Sequence, residues 1–384
     1  MPGEIKNSIV YKKRMATSSF NTVTVDLGAV CNNFALLRDL AGEAMFLAMV
    51  KADGYGHGMV ECSRALEKAG CSIFGVAELI EAVNLRQSGI SGSIFSMVGF
   101  DPKDAPLFPE FDITPVVYDA VSVKALSAAA VQARKTIDVH VKVDTGMSRL
   151  GVQLEEIDSL IDLIDKSPGV SLAGLASHLP CADDAGSATT HQCYEEFTEF
   201  KKHLGKDRNF VNHIANSGGT LYFPGTRADM VRCGISLYGY YPEGREHLQT
   251  NGLRPAMSFT TRVVQVKTIS AGRGVSYGHT YITDRPTTLA VLPVGYEDGF
   301  SRRLSNCGEV LIRGRRAPVR GRVCMNLCMV DVTEIEGVVA GDEVVILGKQ
   351  GEDIITADEI GSRIDTISYE VLCMIGNNNA RKYL

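Results

Sequence analysis

The sequence predicts an α/β chain: a (β/α)8 TIM-type barrel followed by a mostly antiparallel β-domain. Over the first two thirds, eight short β-rich runs alternate with amphipathic helical stretches. After about residue 252 the helical periodicity gives way to closely spaced β-runs. Strand–helix alternation implies parallel pairing, because each crossover returns the chain to the same edge direction, and eight such units close a barrel. A doubly wound open sheet would carry G-x-G-x-x-G after its first strand, and no such motif occurs.

The predicted barrel strands are Met45–Lys51, Ser72–Ala77, Ser93–Val98, Ile113–Tyr118, Ile137–Val143, Ser171–His178, Phe210–Ile214 and Asp229–Arg232. Helices are expected between most of them, over 59–70, 79–89, 121–134, 154–167 and 189–204. Apolar residues recur there at three- and four-residue spacing, as packing on a sheet requires. Beyond Gly252, the runs FTTRVVQVKTI, TLAVLPVGY, EVLIRG, APVRGRV, CMVDVT and EVVILG are punctuated by Gly, Asn and Pro, the texture of an antiparallel barrel or sandwich. The early run TVTVDL, residues 22–27, is expected to pair with them. The chain thus divides into a leader over 1–19, a barrel over 20–252 and a β-domain over 253–384.

A 384-residue chain that is 45% hydrophobic is that of a globular protein with a large core, and its net charge of −6 argues against nucleic acid as the main partner. No apolar stretch approaches the ~18 residues of a membrane span, so no membrane partner is expected. The N-terminus, MPGEIKNSIVYKKRMATSSF, is basic without an apolar core and reads as a leader rather than a secretory signal. That places the protein in the cytoplasm, with its ten cysteines as reduced thiols. Cys324 and Cys328 form the one close pair. With no further ligands at suitable spacing they read as small thiols in a strand, and no metal is expected.

Barrel active sites lie at the C-terminal ends of the strands. There the sequence places Lys51, the Asp144–Arg149 segment, His178, the Asn216-Ser217-Gly218-Gly219 turn, and Arg232 followed by Cys233-Gly234-Ile235. Taken singly, Lys51 is a solvated strand end, His178 a core histidine, and the Ser-Gly turns are ordinary. Their convergence on one rim carries the argument. Gly54, Gly56 and Gly58 allow close approach of a ligand beside Tyr55, and Ser217 and Gly234 fall at strands seven and eight, the usual phosphate position of the fold. A phosphate cup beside a lysine that burial can deprotonate suits an aldehyde cofactor bearing a phosphate. Pyridoxal 5'-phosphate fits, with Lys51 forming the imine.

Seven segments, VKADGYGHG, HVKVDTGMSRLG, HIANSGG, DMVRCGISLYG, VSYGHTY, VGYEDG and TISYEVLCMI, resemble in this order the motifs of alanine racemases. These are pyridoxal-phosphate isomerases with a barrel and a C-terminal β-domain. The resemblance runs from about residue 20 to the C-terminus. It implies interconversion of L- and D-alanine by two bases, supplying D-alanine for peptidoglycan. It implies Lys51 as cofactor-holding lysine and first base, and Tyr277 as second base, donated by the other subunit of a head-to-tail homodimer. Tyr55, Ser217, Gly234, Ile235 and Tyr369 match phosphate-binding positions. Arg232 matches the arginine at the pyridine nitrogen, with His178 beside it. Arg149 and Met325 match groups at the substrate carboxylate, Met325 again from the partner. Lys142 matches a lysine that is carbamylated in many relatives and braces that arginine.

The chemistry agrees with these residues. Inversion needs bases on opposite faces of one carbon. Tyr277 further needs its phenolate favoured by nearby positive charge, which His178 and Arg232 are expected to relay. A guanidinium only donates, so Arg232 disfavours a protonated ring nitrogen; it speaks for racemisation over the related barrel decarboxylases, which place an acidic residue there. A non-catalytic cofactor carrier would need neither the β-domain nor Tyr277. One departure is Asn326, where the family usually has Asp. It reads either as drift or as a change that broadens the accepted side chains.

Overall fold

A computed structural model describes residues 19–203, 210–242 and 252–384. The leader expected at 1–19 lies, save for Ser19, outside the described residues. The first described strand, β1 (Thr22–Val25), is followed by eight barrel strands. They are β2 (Met45–Met49), β3 (Ile73–Val76), β4 (Ser93–Ser96), β5 (Ile113–Val117), β6 (Ile137–Lys142), β7 (Val170–Ala176), β8 (Val211–His213) and β9 (Met230–Cys233). All pair in parallel in the order β8-β7-β6-β5-β4-β3-β2-β9. The seam between β8 and β9 is stitched by Asp229 N–H to the Asn212 carbonyl at 3.0 Å and Arg232 N–H to the Ala215 carbonyl at 2.9 Å. The predicted barrel is therefore present, with strand ends displaced by one or two residues, mostly inward.

Helices fill the crossovers at Met59–Lys68, Leu79–Gln87, Ala120–Ala133, Ile157–Asp165 and Ala188–His203. Their starts follow the capping chemistry of short polar side chains. Asp119 accepts the Ser122 N–H at 2.7 Å, as Asp26 accepts that of Ala29 at 2.9 Å ahead of the Leu27–Ala41 helix. Their apolar faces close over fully buried β-branched and aliphatic strand residues such as Val76, Ile94, Val139 and Leu175.

The second domain holds β10 (Met257–Arg262), β11 (Gln265–Ile269), β12 (Gly274–Val275), β13 (Tyr281–Ile282), β14 (Thr287–Leu292) and β15 (Glu309–Ile312). It continues with β16 (Arg315–Pro318), β17 (Cys328–Asp331), β18 (Glu343–Gln350), β19 (Asp353–Ile355) and β20 (Arg381–Tyr383). The main sheet runs β16-β15-β18-β10-β1-β20. The early TVTV run therefore belongs to the second domain's sheet, antiparallel to β10 and parallel to β20. The single run expected over 259–269 is broken in two, because the chain changes sheets there: Val263 N–H bonds to Asp342 and Val264 N–H to Val291. Two helices, Ala357–Arg363 and Ser368–Asn378, stand where only β-texture was expected. The first is announced by Thr356, whose hydroxyl accepts the Glu359 N–H at 3.1 Å. Cys328 is buried in β17 as expected, whereas Cys324 lies outside the strand in a half-buried turn.

Candidate active site

The C-terminal ends of the barrel strands enclose a cavity of about 820 Å³. Its wall includes Lys51, Tyr55, Lys142, Arg149, His178, Ser217, Arg232, Gly234, Ile235 and Tyr369. Nine of the residues singled out from sequence, and Lys142 with them, thus meet at one place. Tyr277 and Met325 do not line it.

Lys51 does not end a strand as expected. β2 stops at Met49, Val50 N–H bonds to the Gly75 carbonyl at 2.8 Å, and Lys51 opens a turn that is left-handed from Ala52 to Tyr55, with φ of 53, 52, 64 and 53°. Left-handed backbone costs a non-glycine residue about 1–2 kcal/mol. The turn is anchored at its start by Glu81, which accepts the Ala52 N–H at 2.7 Å and the Ala77 N–H at 2.8 Å. His57 closes it: its Nδ1 lies 3.1 Å from the Gly54 carbonyl and 3.0 Å from that of Tyr55. The result puts Lys51 on the cavity wall and packs Tyr55 between the tilted rings of Tyr238 and Tyr369, at ring-centroid distances of 5.1 and 6.0 Å.

Around Tyr55 the wall is shaped by absent side chains. A Cβ on Gly234 would fall 2.2 Å from the Tyr55 hydroxyl oxygen, and one on Gly218 2.1 Å from the Ala182 carbonyl oxygen. Ser217 Oγ accepts the Gly234 N–H at 2.9 Å, tying the ends of strands seven and eight together. Burial pushes the hydroxyls of Tyr55 and Tyr369 far up, so both stay protonated donors. Two phenols, a serine hydroxyl and adjacent backbone make a cup suited to a phosphate.

Arg232 is 4% exposed and is held by neutral partners. It donates to the Ser177 carbonyl at 2.7 Å and lies 2.9 Å from His213 Nδ1 and 3.2 Å from His178 Nδ1. Because a guanidinium has no acceptor, both imidazole Nδ1 atoms accept. His213 then carries its proton on Nε2 and donates that N–H to His140 Nδ1, 2.9 Å away. Burial draws Arg232 down to about 10, still charged at neutral pH, and its charge adds to burial in holding His178 and His213 neutral.

Positive charge dominates the cavity. Burial, then Arg149 and Arg232, lower the Lys51 amine, and burial with the same two guanidinium groups lowers Lys142 strongly. Arg149 rides on a loop shaped by Asp144, whose Oδ1 accepts the N–H groups of Gly146, Met147 and Ser148.

Tyr277 stands on the second domain, 72% exposed, in the turn between β12 and β13. The Ser276 hydroxyl donates to the Arg322 carbonyl at 2.6 Å, which brings this turn beside the loop of Met325, itself 55% exposed. Asn326 Nδ2 donates to Glu297 Oε2 at 3.2 Å. Sequence reasoning passed over Glu81, His213 and His140, which touch the site only through other residues, and Asp53, whose place inside the KADGYGHG segment was the available signal.

Comparison with known proteins agrees with this arrangement. Residues 25–242 match the family described as "Alanine racemase, N-terminal domain", and 256–383 the one described as "Alanine racemase, C-terminal domain". The alanine racemase of Syntrophobacter fumaroxidans is 39% identical over 363 residues, 94% of this chain and 96% of that protein. That of Desulfosudis oleivorans is 40% identical, covering 94% and 95%. Among solved structures, alanine racemase from D-cycloserine-producing Streptomyces lavendulae superposes with a TM-score of 0.90 at 36% identity, covering 96% of this chain and 98% of that one. The Bacillus anthracis alanine racemase with bound L-Ala-P gives 0.88 at 31%, covering 96% of each. Barrel, second domain and motifs agree along nearly the whole length, and the chain belongs to the alanine racemase family of isomerases.

Proposed function

We propose that the protein interconverts L- and D-alanine with pyridoxal 5'-phosphate, using Lys51 on one face of the substrate α-carbon and Tyr277 of the partner subunit on the other. The residues present fit that cofactor. The cup of Tyr55, Ser217, Gly234, Ile235 and Tyr369 suits its phosphate, Arg232 with His178 beside it suits its ring nitrogen, and Lys51 suits its aldehyde. When bound, pyridoxal phosphate draws electrons from the α-carbon and makes its proton removable.

The chain supplies the rest. Lys51, its amine lowered by burial and by two guanidinium groups, gives up its proton more readily than an ordinary lysine, as a base at this place must. Tyr55 and Tyr369 are held protonated and so do not serve as the second base, and exposed Tyr277 on a face shared with Met325 supports its delivery by a second copy, head to tail. Arg149, with Met325 of the partner subunit, grips the substrate carboxylate and retains it. The depressed Lys142 amine favours carbamylation: nitrogen adds to carbon dioxide and loses a proton, leaving an anion beside Arg149 and Arg232. The ten cysteines stand as free thiols, which supports a cytoplasmic setting. Among the described residues no helix is long and apolar enough to cross a membrane. Supply of D-alanine for peptidoglycan follows from the family.

The observation that carries the reading is Arg232, buried on the wall that also holds Lys51 and bonded only to neutral groups. A donor that cannot accept leaves the ring nitrogen unprotonated and restrains side reactions. The test is circular dichroism of L-alanine incubated with protein and cofactor. The signal decays to zero under this account. A constant signal contradicts it, and release of carbon dioxide from basic amino acids establishes a decarboxylase instead. In Tyr277→Phe the rate falls about 100-fold or more; unchanged turnover and pH profile would remove the phenol from the mechanism.

A further inference from the structure

A run of four left-handed residues, three of them not glycine, persists only where its surroundings over-determine it. For the Ala52–Tyr55 turn, Glu81 and His57 supply part of that restraint, and the far end of the chain supplies more. Asp53 Oδ1 accepts the Met59 N–H at 2.8 Å, and Asp53 Oδ2 is paired with Arg381 at 2.5 Å. The same guanidinium donates to the Gly56 carbonyl at 2.8 Å. One planar fork therefore grips the turn on both sides of Tyr55. Arg381 opens β20, which is fixed in the second domain's sheet by parallel pairing with β1. Tyr383 from the same strand fills the space beside Gly58, where a Cβ would fall 2.0 Å from its hydroxyl oxygen. The Arg381 side chain is 18% exposed, and neither it nor Asp53 lines the cavity.

We propose that Arg381 is a positioning residue for the racemase reaction. By bridging the Asp53 carboxylate and the Gly56 carbonyl, it holds the 52–55 turn in the form that puts Lys51 on the cavity wall and sets the Tyr55 hydroxyl against Gly234. The proposal rests on the reading of Lys51 as the site's lysine. A lysine cannot replace the arginine fully, since a point charge on a flexible stem does not reproduce a fork that meets two acceptors at once.

The test uses full-length holoenzyme of Arg381→Gln, Arg381→Lys and Lys382→Gln. Lys382 lies in the same strand, exposed, and serves as control for the strand itself. Three quantities are read: amide hydrogen exchange of residues 52–58, affinity for pyridoxal phosphate, and kcat and KM for alanine. In Arg381→Gln, exchange across 52–58 accelerates about tenfold. Cofactor affinity falls about tenfold, and kcat falls about 100-fold, more than KM rises. Arg381→Lys recovers part of each loss, and Lys382→Gln matches the parent in all three. Unchanged exchange and affinity in Arg381→Gln overturn the proposal, as does an equal loss in Lys382→Gln. If Arg381→Gln does not fold, Asp53→Asn decides by the same readings, because it keeps an acceptor for Met59 N–H and withdraws the charge facing Arg381. An error in the Lys51 assignment shows separately, as turnover retained in Lys51→Ala, while exchange across 52–58 reports on the turn alone.

Discussion

The Lys51 turn and the Tyr277 turn present their side chains in opposite ways. Lys51 follows a buried barrel strand and sits on strained backbone tied by Glu81, His57, Asp53 and Arg381. Tyr277 also follows a left-handed residue that is not glycine, Ser276 at φ 63°, yet its side chain stands in solvent. Around it Met325 and Leu327 are exposed too, at 55% and 44%. One region is finished within the chain. The other leaves its tyrosine uncovered, as the proposed delivery to a second copy requires.

The largest effect that can break this contrast is Lys51→Ala. Racemisation falls by about 10,000-fold, the upper range for a general base, and cofactor no longer binds covalently, as the absorbance spectrum after gel filtration reports. Activity within tenfold of the parent would move the chemistry away from the turn. Arg232→Glu comes next. It places an acceptor where only donors stood, and the buried imidazoles His178 and His213 lose the donor that fixes their tautomers. Alanine exchange falls about 100-fold, and pyruvate appears by coupled assay, up to one equivalent per cofactor, since the amino group of alanine would pass to the cofactor. Exchange unchanged and no pyruvate would deny Arg232 its role in reaction choice.

A third prediction concerns pH and bears on the barrel side alone. Burial pulls His57 and His140 to about 4 and holds His178 and His213 well below the ordinary range. The unfolded chain binds these protons more tightly than the folded one. The contribution is therefore full above about pH 6.5 and is lost as pH falls toward about 4, on the order of 3 kcal/mol for each of the two histidines at about 4. Thermal unfolding is expected at clearly lower temperature at about pH 5 than at about pH 7.5; equal midpoints would show that the histidines are not held neutral. The smallest effect belongs to Asn326→Asp, which sets a second carboxylate against Glu297 at the exposed Met325 loop. Relative rates for alanine, serine, lysine and arginine measure it. If the parent turns over only alanine and serine, Asn326 does not broaden the substrate range.

Much of the barrel was legible because periodicity changes from two to three or four at most crossovers, and because the strand ends carried unusual residues together; the short helices at Leu107–Phe111 and Ser217–Tyr222 gave no such signal. The turn after Lys51 was not. Sequence patterns mark glycines as candidates for positive φ, but Ala52 and Asp53 adopt it under tertiary contacts that no local pattern encodes. Arg381 was invisible for the same reason: its partners lie more than 300 residues away. The helices at 357–363 and 368–378 were obscured by neighbouring β-runs, although Thr356 with Glu359 was a readable start. Tyr277 came from resemblance alone, since an exposed tyrosine in a hairpin turn carries no chemistry by itself.

Sharing of the site between copies can be measured by mixing. Lys51→Ala and Tyr277→Ala, each inactive alone, are unfolded together, refolded with cofactor and assayed for loss of the L-alanine circular dichroism signal. A head-to-tail homodimer gives mixed dimers with one site that holds both Lys51 and Tyr277, and activity returns. A mixture as inactive as its parents, with mixed dimers demonstrated by mass spectrometry, would contradict the account.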